Sequence, residues 1–289
     1  MRSARSALGS WAKAIAIPTA IFVWFAAGQA VAAGIADTRH NLSTSNPRTS
    51  ENRVTAGTED ICVFCHTPHG ADITAPAPLW NKNLTSLTGY QTYASLNSST
   101  IDGTILTVGS VSLACLSCHD GSQAMDNIIN APGSGGMDTT GGGSTGRGYT
   151  WDTSTGRVDA DGKLTGTNNA ALLGTDLKND HPIGIQYCGG GPNATTPNGT
   201  CKDTDFVAPQ NATINTNLVW WVDTPGGTAA TRQRTDIVLY TRDYGGTAGP
   251  SVECGSCHDP HVPAASPTQV AFLRVSNTGS ALCLACHVK

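Results

Sequence analysis

Eight of the ten cysteines stand in four copies of one short pattern, in which two cysteines are separated by two residues and followed directly by a histidine. In chain order, the first to fourth motifs contribute Cys62, Cys65 and His66; Cys115, Cys118 and His119; Cys254, Cys257 and His258; and Cys283, Cys286 and His287. Thiols at this spacing reach the two vinyl groups on one edge of a porphyrin, and the histidine then binds the iron from one face. The pattern predicts four covalently attached haem c groups, each with its iron.

Two other chemistries use cysteine pairs at the same spacing. Paired C-x-x-C motifs form zinc ribbons, and a single such motif on an α/β domain is typical of thioredoxin-like redox proteins. A zinc ribbon does not need a histidine after every pair, whereas all four pairs of this chain have one. A thioredoxin-like protein has one such motif on an α/β domain, whereas this glycine-rich chain has four. Covalent haem is therefore the favoured prediction.

The remaining histidines equal the predicted irons in number. They are His40, His69, His181 and His261. We predict that all four are second axial ligands, so that every iron has two histidine ligands, and Met125 and Met137 are the competing axial candidates. Two histidines leave no open iron position for a substrate, and they imply a low potential because methionine ligation raises it. We therefore expect electron transfer and no enzymatic activity.

Two of these histidines follow motif histidines in nearly identical segments, Cys-His-Thr-Pro-His at 65–69 and Cys-His-Asp-Pro-His at 257–261. A histidine three residues from the first ligand hardly reaches the opposite face of the same porphyrin. We therefore predict that His69 binds the iron of the second motif and that His261 binds the iron of the fourth motif.

The N-terminal segment predicts export. Arg2, Arg5 and Lys13 precede an apolar stretch at 14–27, and small residues follow up to Gly34. This pattern is typical of a cleaved signal peptide, assigned to residues 1–33. The alternative is a retained anchor, but the apolar stretch is shorter than the roughly 20 residues that a membrane span needs. After cleavage we expect no membrane span.

Export permits disulfide bonds. The two cysteines outside the motifs, Cys188 and Cys201, bracket a loop rich in glycine, threonine and asparagine. We predict a disulfide bond between them, with a reactive thiol pair as the alternative.

Composition limits the fold. Charged residues make up 13% of the chain, aromatic residues 6%, and there are 33 glycines, whereas a typical domain has about 25% charged residues. Because little apolar side-chain mass is available, we expect a multihaem cytochrome c fold whose core is filled by the haems. Regular structure should be sparse, with short helices at the haem motifs and a few short β-strands, including a hairpin of residues 218–222 and 236–240. The formal charge of −4 says little about partners, and no basic patch indicates a nucleic-acid partner.

The motifs also predict two similar modules. Residues 34–150 form the first dihaem module and include a glycine-rich linker, and residues 151–289 form the second. Each module opens with a lone histidine, His40 or His181, continues with a doubled C-x-x-C-H-x-P-H motif, and closes with a plain C-x-x-C-H motif. This order indicates a duplicated unit.

Four segments carry a family resemblance. They are residues 39–43 (Arg-His-Asn-Leu-Ser), 62–69, 180–184 (Asp-His-Pro-Ile-Gly) and 254–261. They resemble the extracellular tetrahaem c-type cytochromes of metal-reducing bacteria, in particular the filament-forming OmcE type. The resemblance covers most of the chain after residue 33 and is most specific at the ligand motifs. It implies bis-histidine ligation throughout, and head-to-tail polymerisation into a filament with a continuous line of stacked haems.

In such filaments one axial histidine can come from the neighbouring subunit. His40 lies near the mature N-terminus and His287 near the C-terminal end, which suits a head-to-tail interface. We predict that His40 is donated across the junction, and the alternative is that it binds the first haem of its own chain. The expected function is a polymeric extracellular or cell-surface conduit that passes electrons to partner cytochromes or extracellular acceptors. The alternatives are a monomeric periplasmic or cell-surface carrier and a multihaem reductase of a small oxyanion.

Overall fold

The computed structural model describes residues 34–49, 51–74, 76–84, 87–133, 136–137, 146–225, 228–261 and 272–288. The predicted signal peptide and much of the predicted glycine-rich linker lie outside these residues. The chain after Ala32 forms one compact unit.

Helices are short, and each of the four motifs lies on one or begins in one. The first motif begins in the 3-10 helix Cys62–Phe64, and the others lie on α1 (Ser110–His119), α2 (Cys254–Cys257) and α3 (Ala281–Cys286). This confirms the prediction of short helices at the motifs. Further 3-10 helices are Ile35–Asp37, Tyr93–Leu96, Tyr187–Gly189 and Thr278–Ser280. None of the helices in the described part of the chain has the length and apolar character that crossing a bilayer requires.

Strands form two antiparallel sheets. In the first sheet, β1 (Val54–Ala56) pairs with β2 (Thr150–Trp151). The second contains β3 (Ile185–Gln186), β4 (Gln210–Ile214), β5 (Asn217–Val222), β6 (Ile237–Asp243) and β7 (Ala248–Val252), in the spatial order β3-β7-β6-β5-β4. β5 pairs with β6, with Trp220 opposite Leu239, so the predicted hairpin is confirmed.

The predicted hairpin accounts for β5 and β6, whereas β1, β2, β3, β4 and β7 were not predicted. The sequence of β4 is largely polar, and β7 contains Gly249 and Pro250. Proline has no backbone N–H, so it normally excludes a central strand. Here β3 pairs only with Ser251 and Val252 of β7, and Pro250 lies beyond that short contact. The proline therefore loses no hydrogen bond to β3.

Three apolar clusters surround the motifs. One joins Leu42, Val54 and Phe64 to Trp151 and Val158, with Cys65 and Cys118 packed against it, and so includes residues on both sides of position 150. A second centres on Trp220 and Tyr187 in the large sheet and contacts Cys286. A third packs Leu84 and Leu87 against α1. Cysteines or helices that carry the haem motifs thus border every cluster.

Cys188 and Cys201 form the predicted disulfide bond, with a sulfur–sulfur distance of 2.11 Å. Cys188 is buried in the sheet cluster, and its carbonyl accepts a hydrogen bond from the backbone N of Asp203 at 3.0 Å. The disulfide bond therefore fixes the start of the segment that leads to Phe206, which packs near the fourth motif.

Candidate haem sites

Three of the four motifs share one local geometry. In each, the backbone N of the motif histidine donates to the carbonyl of the first cysteine and closes a single turn. The bonds join His66 to Cys62 at 2.8 Å, His258 to Cys254 at 3.0 Å, and His287 to Cys283 at 2.9 Å. The turn brings the two cysteines and the histidine to one place, as attachment to one porphyrin requires.

An extended segment from elsewhere in the chain then pairs with each of these three motifs. The second cysteine accepts a backbone hydrogen bond from Asn81, Arg274 or Val207, and the residue after the histidine donates to Leu79, Phe272 or Asp205. All six bonds are 2.8 to 3.0 Å long. Trp80, Leu273 and Phe206 thereby lie opposite the three motif histidines. The backbone of each motif histidine is thus fixed on both sides.

These pairing segments were missed in the sequence. Leu79 and Phe272 occupy equivalent places and both have positive φ, 55° and 68°. Neither residue type favours this left-handed conformation, so residue type gives no warning of it. The sequence does offer one signal for these segments. A short apolar stretch follows each doubled motif at a similar distance along the chain.

The second motif is built differently. It ends the ten-residue helix α1, in which Leu116 is completely buried. The carbonyl of His119 accepts a hydrogen bond from the backbone N of Leu173 at 2.7 Å. This motif is therefore held by a helix packed in the interior rather than by a single turn.

Ring orientation in two motif histidines fits iron binding. Nδ1 of His66 lies 2.6 Å from the Pro78 carbonyl, and Nδ1 of His119 lies 2.7 Å from the Ala171 carbonyl. A carbonyl only accepts hydrogen bonds, so each Nδ1 carries the proton and Nε2 keeps its lone pair for a metal. Burial lowers the pKa of His119, which keeps the imidazole in its neutral, ligating form at neutral pH.

Two pairs of histidine rings lie close together, one near-parallel and one near-perpendicular. The ring centroids of His66 and His261 are 6.0 Å apart with planes at 18°, and those of His40 and His119 are 6.1 Å apart with planes at 80°. The structure therefore brings His261 to the first motif and His40 to the second. It does not support the predictions that His261 serves the fourth motif and His69 the second.

His40 also lies inside its own chain. Its ring stacks on Phe272 with centroids 4.2 Å apart, and burial together with nearby His119 lowers its pKa to about 4. His40 therefore lies beside the second motif of its own chain. The other two predicted distal ligands, His69 and His181, are exposed.

His69 lies beside the first motif. With Cys62 and His66 it lines a cleft of about 610 Å³, which Met137 also borders. The His69 carbonyl accepts a hydrogen bond from Nδ2 of Asn130 at 2.5 Å. The other candidate methionine, Met125, is buried in the cluster around Phe64.

Thiols of consecutive motifs are neighbours. Burial raises the pKa of Cys65 to about 12, and the nearby Cys118 thiol adds to the shift. A hydrogen bond between Cys115 and Cys254 is the main cause that raises the pKa of the former and lowers that of the latter. Burial raises the pKa of Cys257 to about 11, with Cys254 and Cys283 also contributing. Neighbouring thiols therefore link the first motif to the second, the second to the third, and the third to the fourth.

Two buried charges stand next to this series. Lys82 is fully buried, and its Nζ donates to the carbonyls of Ala124, Met125 and Asn127. Glu253 is 1% exposed and accepts hydrogen bonds from Ser112 Oγ at 2.5 Å, Arg242 Nη1 at 2.8 Å and Ser251 Oγ at 3.1 Å. The Glu253 contacts tie α1 to the large sheet and to α2.

A zinc ribbon collects two cysteine pairs around one ion. Within the described ranges, no group of three or more histidine, cysteine, aspartate or glutamate side chains is arranged to hold a metal ion directly. The cysteine pairs with their adjoining histidines fit a porphyrin better than a shared zinc ion.

Comparison with family models gives one finding, the doubled CXXCH motif, over residues 249–289. This range contains the third and fourth motifs. The doubled motif indicates a multihaem c-type cytochrome. Covalently bound c-type haem with its iron is therefore the cofactor, and electron transfer is the class of function. Comparisons with curated proteins and with solved structures gave no significant match.

Proposed function

We propose that this cytochrome transfers electrons through four covalently bound haems, one on each motif, each with two histidine ligands, and that it catalyses no reaction of its own. The observation that carries the proposal is the contact between consecutive motifs, with Cys65 and Cys118 on one apolar cluster and the third motif packed on the helix of the second. Attachment points in such a series hold the cofactors close together.

The packing of the motifs supports this series. The backbone N of Cys254 donates to Ser112 Oγ at 3.0 Å, so the third motif contacts the helix that carries the second. Cys65 and Cys118 pack against the same apolar cluster, which joins the first motif to the second. The second motif is thus in contact with the motifs before and after it.

The bound iron supplies the redox chemistry, because it changes between ferric and ferrous states and so carries one electron. The chain attaches, orients and shields the cofactors. Carbonyl oxygens fix the Nδ1 atoms of His66 and His119, and paired backbone segments fix the other motif histidines. A second histidine on each iron leaves no position for a substrate.

The first and fourth motifs are suited to exchange with partners. Cys62 and Cys283 are exposed, whereas the other motif cysteines are only partly so. Leu284 is 50% exposed and Val288 58% exposed beside the fourth motif. Electrons therefore enter at one exposed end of the series and leave at the other, to a partner cytochrome, an extracellular acceptor or a second copy of the chain.

The exported protein, cleaved of residues 1–33, polymerises head to tail into an extracellular conduit. Exposed motifs at both ends of the series favour a polymer, because each end can adjoin the opposite end of a neighbour. An axial ligand that crosses the junction is then His69 or His181, which are exposed, rather than His40, which faces His119 of its own chain.

A monomeric periplasmic or cell-surface carrier is the second candidate. The two close histidine pairs favour it, because both pairs belong to one chain and need no neighbour. The two candidates share the same cofactors and differ only in assembly.

A spectroelectrochemical titration of the purified holoprotein tests the electron-transfer function. We expect six-coordinate, low-spin spectra in both oxidation states, reversible reduction and no reaction of the reduced protein with carbon monoxide. A high-spin component that binds carbon monoxide contradicts full histidine ligation and favours a reductase.

Electron microscopy of the sheared extracellular fraction, with haem staining and peptide identification, tests assembly. Thin haem-positive filaments that contain this chain support the conduit. Haem-positive particles of monomer size, confirmed by sedimentation, support the soluble carrier instead.

A further inference from the structure

We infer that His66 and His261 bind opposite faces of one haem iron, and that His40 and His119 bind opposite faces of another. This assignment rests on the proposed function and deepens it, because it states which distal histidine serves which motif. It also gives the two irons different ligand geometries, with near-parallel imidazole planes in the first case and near-perpendicular planes in the second.

The ring separations fit shared irons. Metal–imidazole bonds are about 2 Å long, so two imidazoles on opposite faces of one iron have centroids about 6 Å apart once the ring radii are added. The observed values are 6.0 Å for the pair that includes His261 and 6.1 Å for the pair that includes His40. Ordinary aromatic contacts also fall in this range, so the ring nitrogens must decide. In the second pair, the Ala171 carbonyl holds Nδ1 of His119 at 2.7 Å and leaves Nε2 for the metal, and Nδ1 of His40 is buried without a hydrogen-bond partner among the residues that the structure describes.

The orientation of the first pair favours a shared iron. Nδ1 of His66 lies against the Pro78 carbonyl, and Nδ1 of His261 lies 3.3 Å from Oδ1 of Asp259. The backbone N of His261 donates to the same carboxylate oxygen at 3.0 Å. With an acceptor at each Nδ1, both Nε2 atoms remain for the metal. A haem on the first motif is therefore held between that motif and the loop after the third.

One short segment positions both distal histidines. The carbonyl of Phe272 accepts a hydrogen bond from the backbone N of Asp259 at 2.8 Å, and Arg274 Nη1 lies 3.4 Å from the Asp259 carboxylate, so this segment fixes the loop of His261. The ring of Phe272 stacks on His40 with planes at 15°. The residues that pair with the third motif thus also place the second ligands of the first and second motifs.

Ligand-plane angle is visible in electron paramagnetic resonance (EPR) spectra of ferric haem. Near-parallel imidazole planes give a rhombic low-spin spectrum, whereas near-perpendicular planes give a highly anisotropic one. We expect the oxidised holoprotein to show both signals. The His261→Ala variant should lose a rhombic signal and keep the highly anisotropic one, and His40→Ala should do the reverse.

Double variants decide whether two histidines share an iron. If His66 and His261 share one, the double alanine variant converts no more haem from the low-spin state than the more affected single variant does. If they serve different irons, the double variant loses the low-spin signal of two haems. The pair His40 and His119 is tested in the same way. The matched control combines His66→Ala with His181→Ala, which should affect two haems.

The design still works if removal of His66 prevents haem attachment at the first motif. In that background, His261→Ala should leave every remaining haem low-spin, and the appearance of a high-spin haem overturns the assignment. In the His261→Gly variant, added imidazole should restore the lost rhombic signal. Absence of covalent haem, or high-spin haem throughout the wild type, refutes the proposed function itself, whereas loss of two low-spin haems in the double variants refutes only the pairing.

Discussion

The second and fourth motifs have almost the same sequence and opposite surroundings. They read Cys-Leu-Ser-Cys-His at 115–119 and Cys-Leu-Ala-Cys-His at 283–287. Leu116 is completely buried on α1, whereas Leu284, at the same motif position, is 50% exposed on α3. The motif therefore specifies attachment chemistry alone, and the packing around it decides whether the motif lies in the interior or at an exposed end.

Different interactions hold the two motifs in place. The second motif packs on α2 and lies beside the buried Glu253 cluster, through Ser112. The fourth motif pairs with the segment around Phe206, which follows the Cys188–Cys201 disulfide. The interior motif thus depends on packing and buried polar contacts, and the end motif depends on a covalent bond.

The leucines at the matching motif position test this comparison most strongly. We expect Leu116→Ala to lower the free energy of unfolding by about 2 to 5 kcal/mol, because it leaves a cavity in a packed interior. The matched variant Leu284→Ala should change it by less than about 0.5 kcal/mol. Denaturant unfolding of the two holoproteins measures both values. Equal losses contradict the difference in burial.

Removal of the disulfide tests the support of the fourth motif. The Cys188→Ser/Cys201→Ser double variant should lose about 3 kcal/mol of stability, since the bond joins residues 13 positions apart in the sequence. Hydrogen exchange should increase at residues 205–207 and 286–288 more than along α1. A uniform increase over both regions means that the disulfide does not act locally on the end motif.

Glu253 tests the polar contacts around the second motif. Burial raises the pKa of its carboxyl in the folded protein. A raised folded pKa contributes stability below the unfolded value of about 4.3, and that contribution is lost as pH rises through the folded pKa. The stability of the wild type relative to Glu253→Gln should therefore fall from acid towards neutral pH. Denaturation of both proteins across this window measures the trend, and a rising difference contradicts it.

A smaller effect is expected at the exposed ligand His261. Asp259→Asn removes the carboxylate beside its Nδ1 and makes the imidazole a weaker electron donor. The potential of the first motif's haem should rise, by about 59 mV for each tenfold change in relative ferric and ferrous stability. Redox titration followed by EPR should show the shift in a rhombic signal only. A shift in the highly anisotropic signal contradicts the ligand pairing.

Local sequence was sufficient for the features that depend on local chemistry. Cysteine and histidine spacing predicted the short helical motifs, the apolar run at 218–222 predicted a strand, and the two remaining cysteines predicted the disulfide. The ligand pairing that we infer from the ring contacts differs from the predicted one, because it depends on the placement of the third motif's loop beside the first motif. No local pattern records that placement. β7 was missed because Pro250 argues against a strand unless the shortness of β3 is known.

The central claim is that all four motifs attach haem covalently. Intact mass spectrometry of the denatured holoprotein, after treatment with a thiol alkylating reagent, tests it most directly. We predict one species with the mass of the cleaved chain plus four haems and with no alkylated cysteine, since eight cysteines are in thioethers and two in a disulfide. A polypeptide without added haem mass and with eight alkylated cysteines contradicts the account.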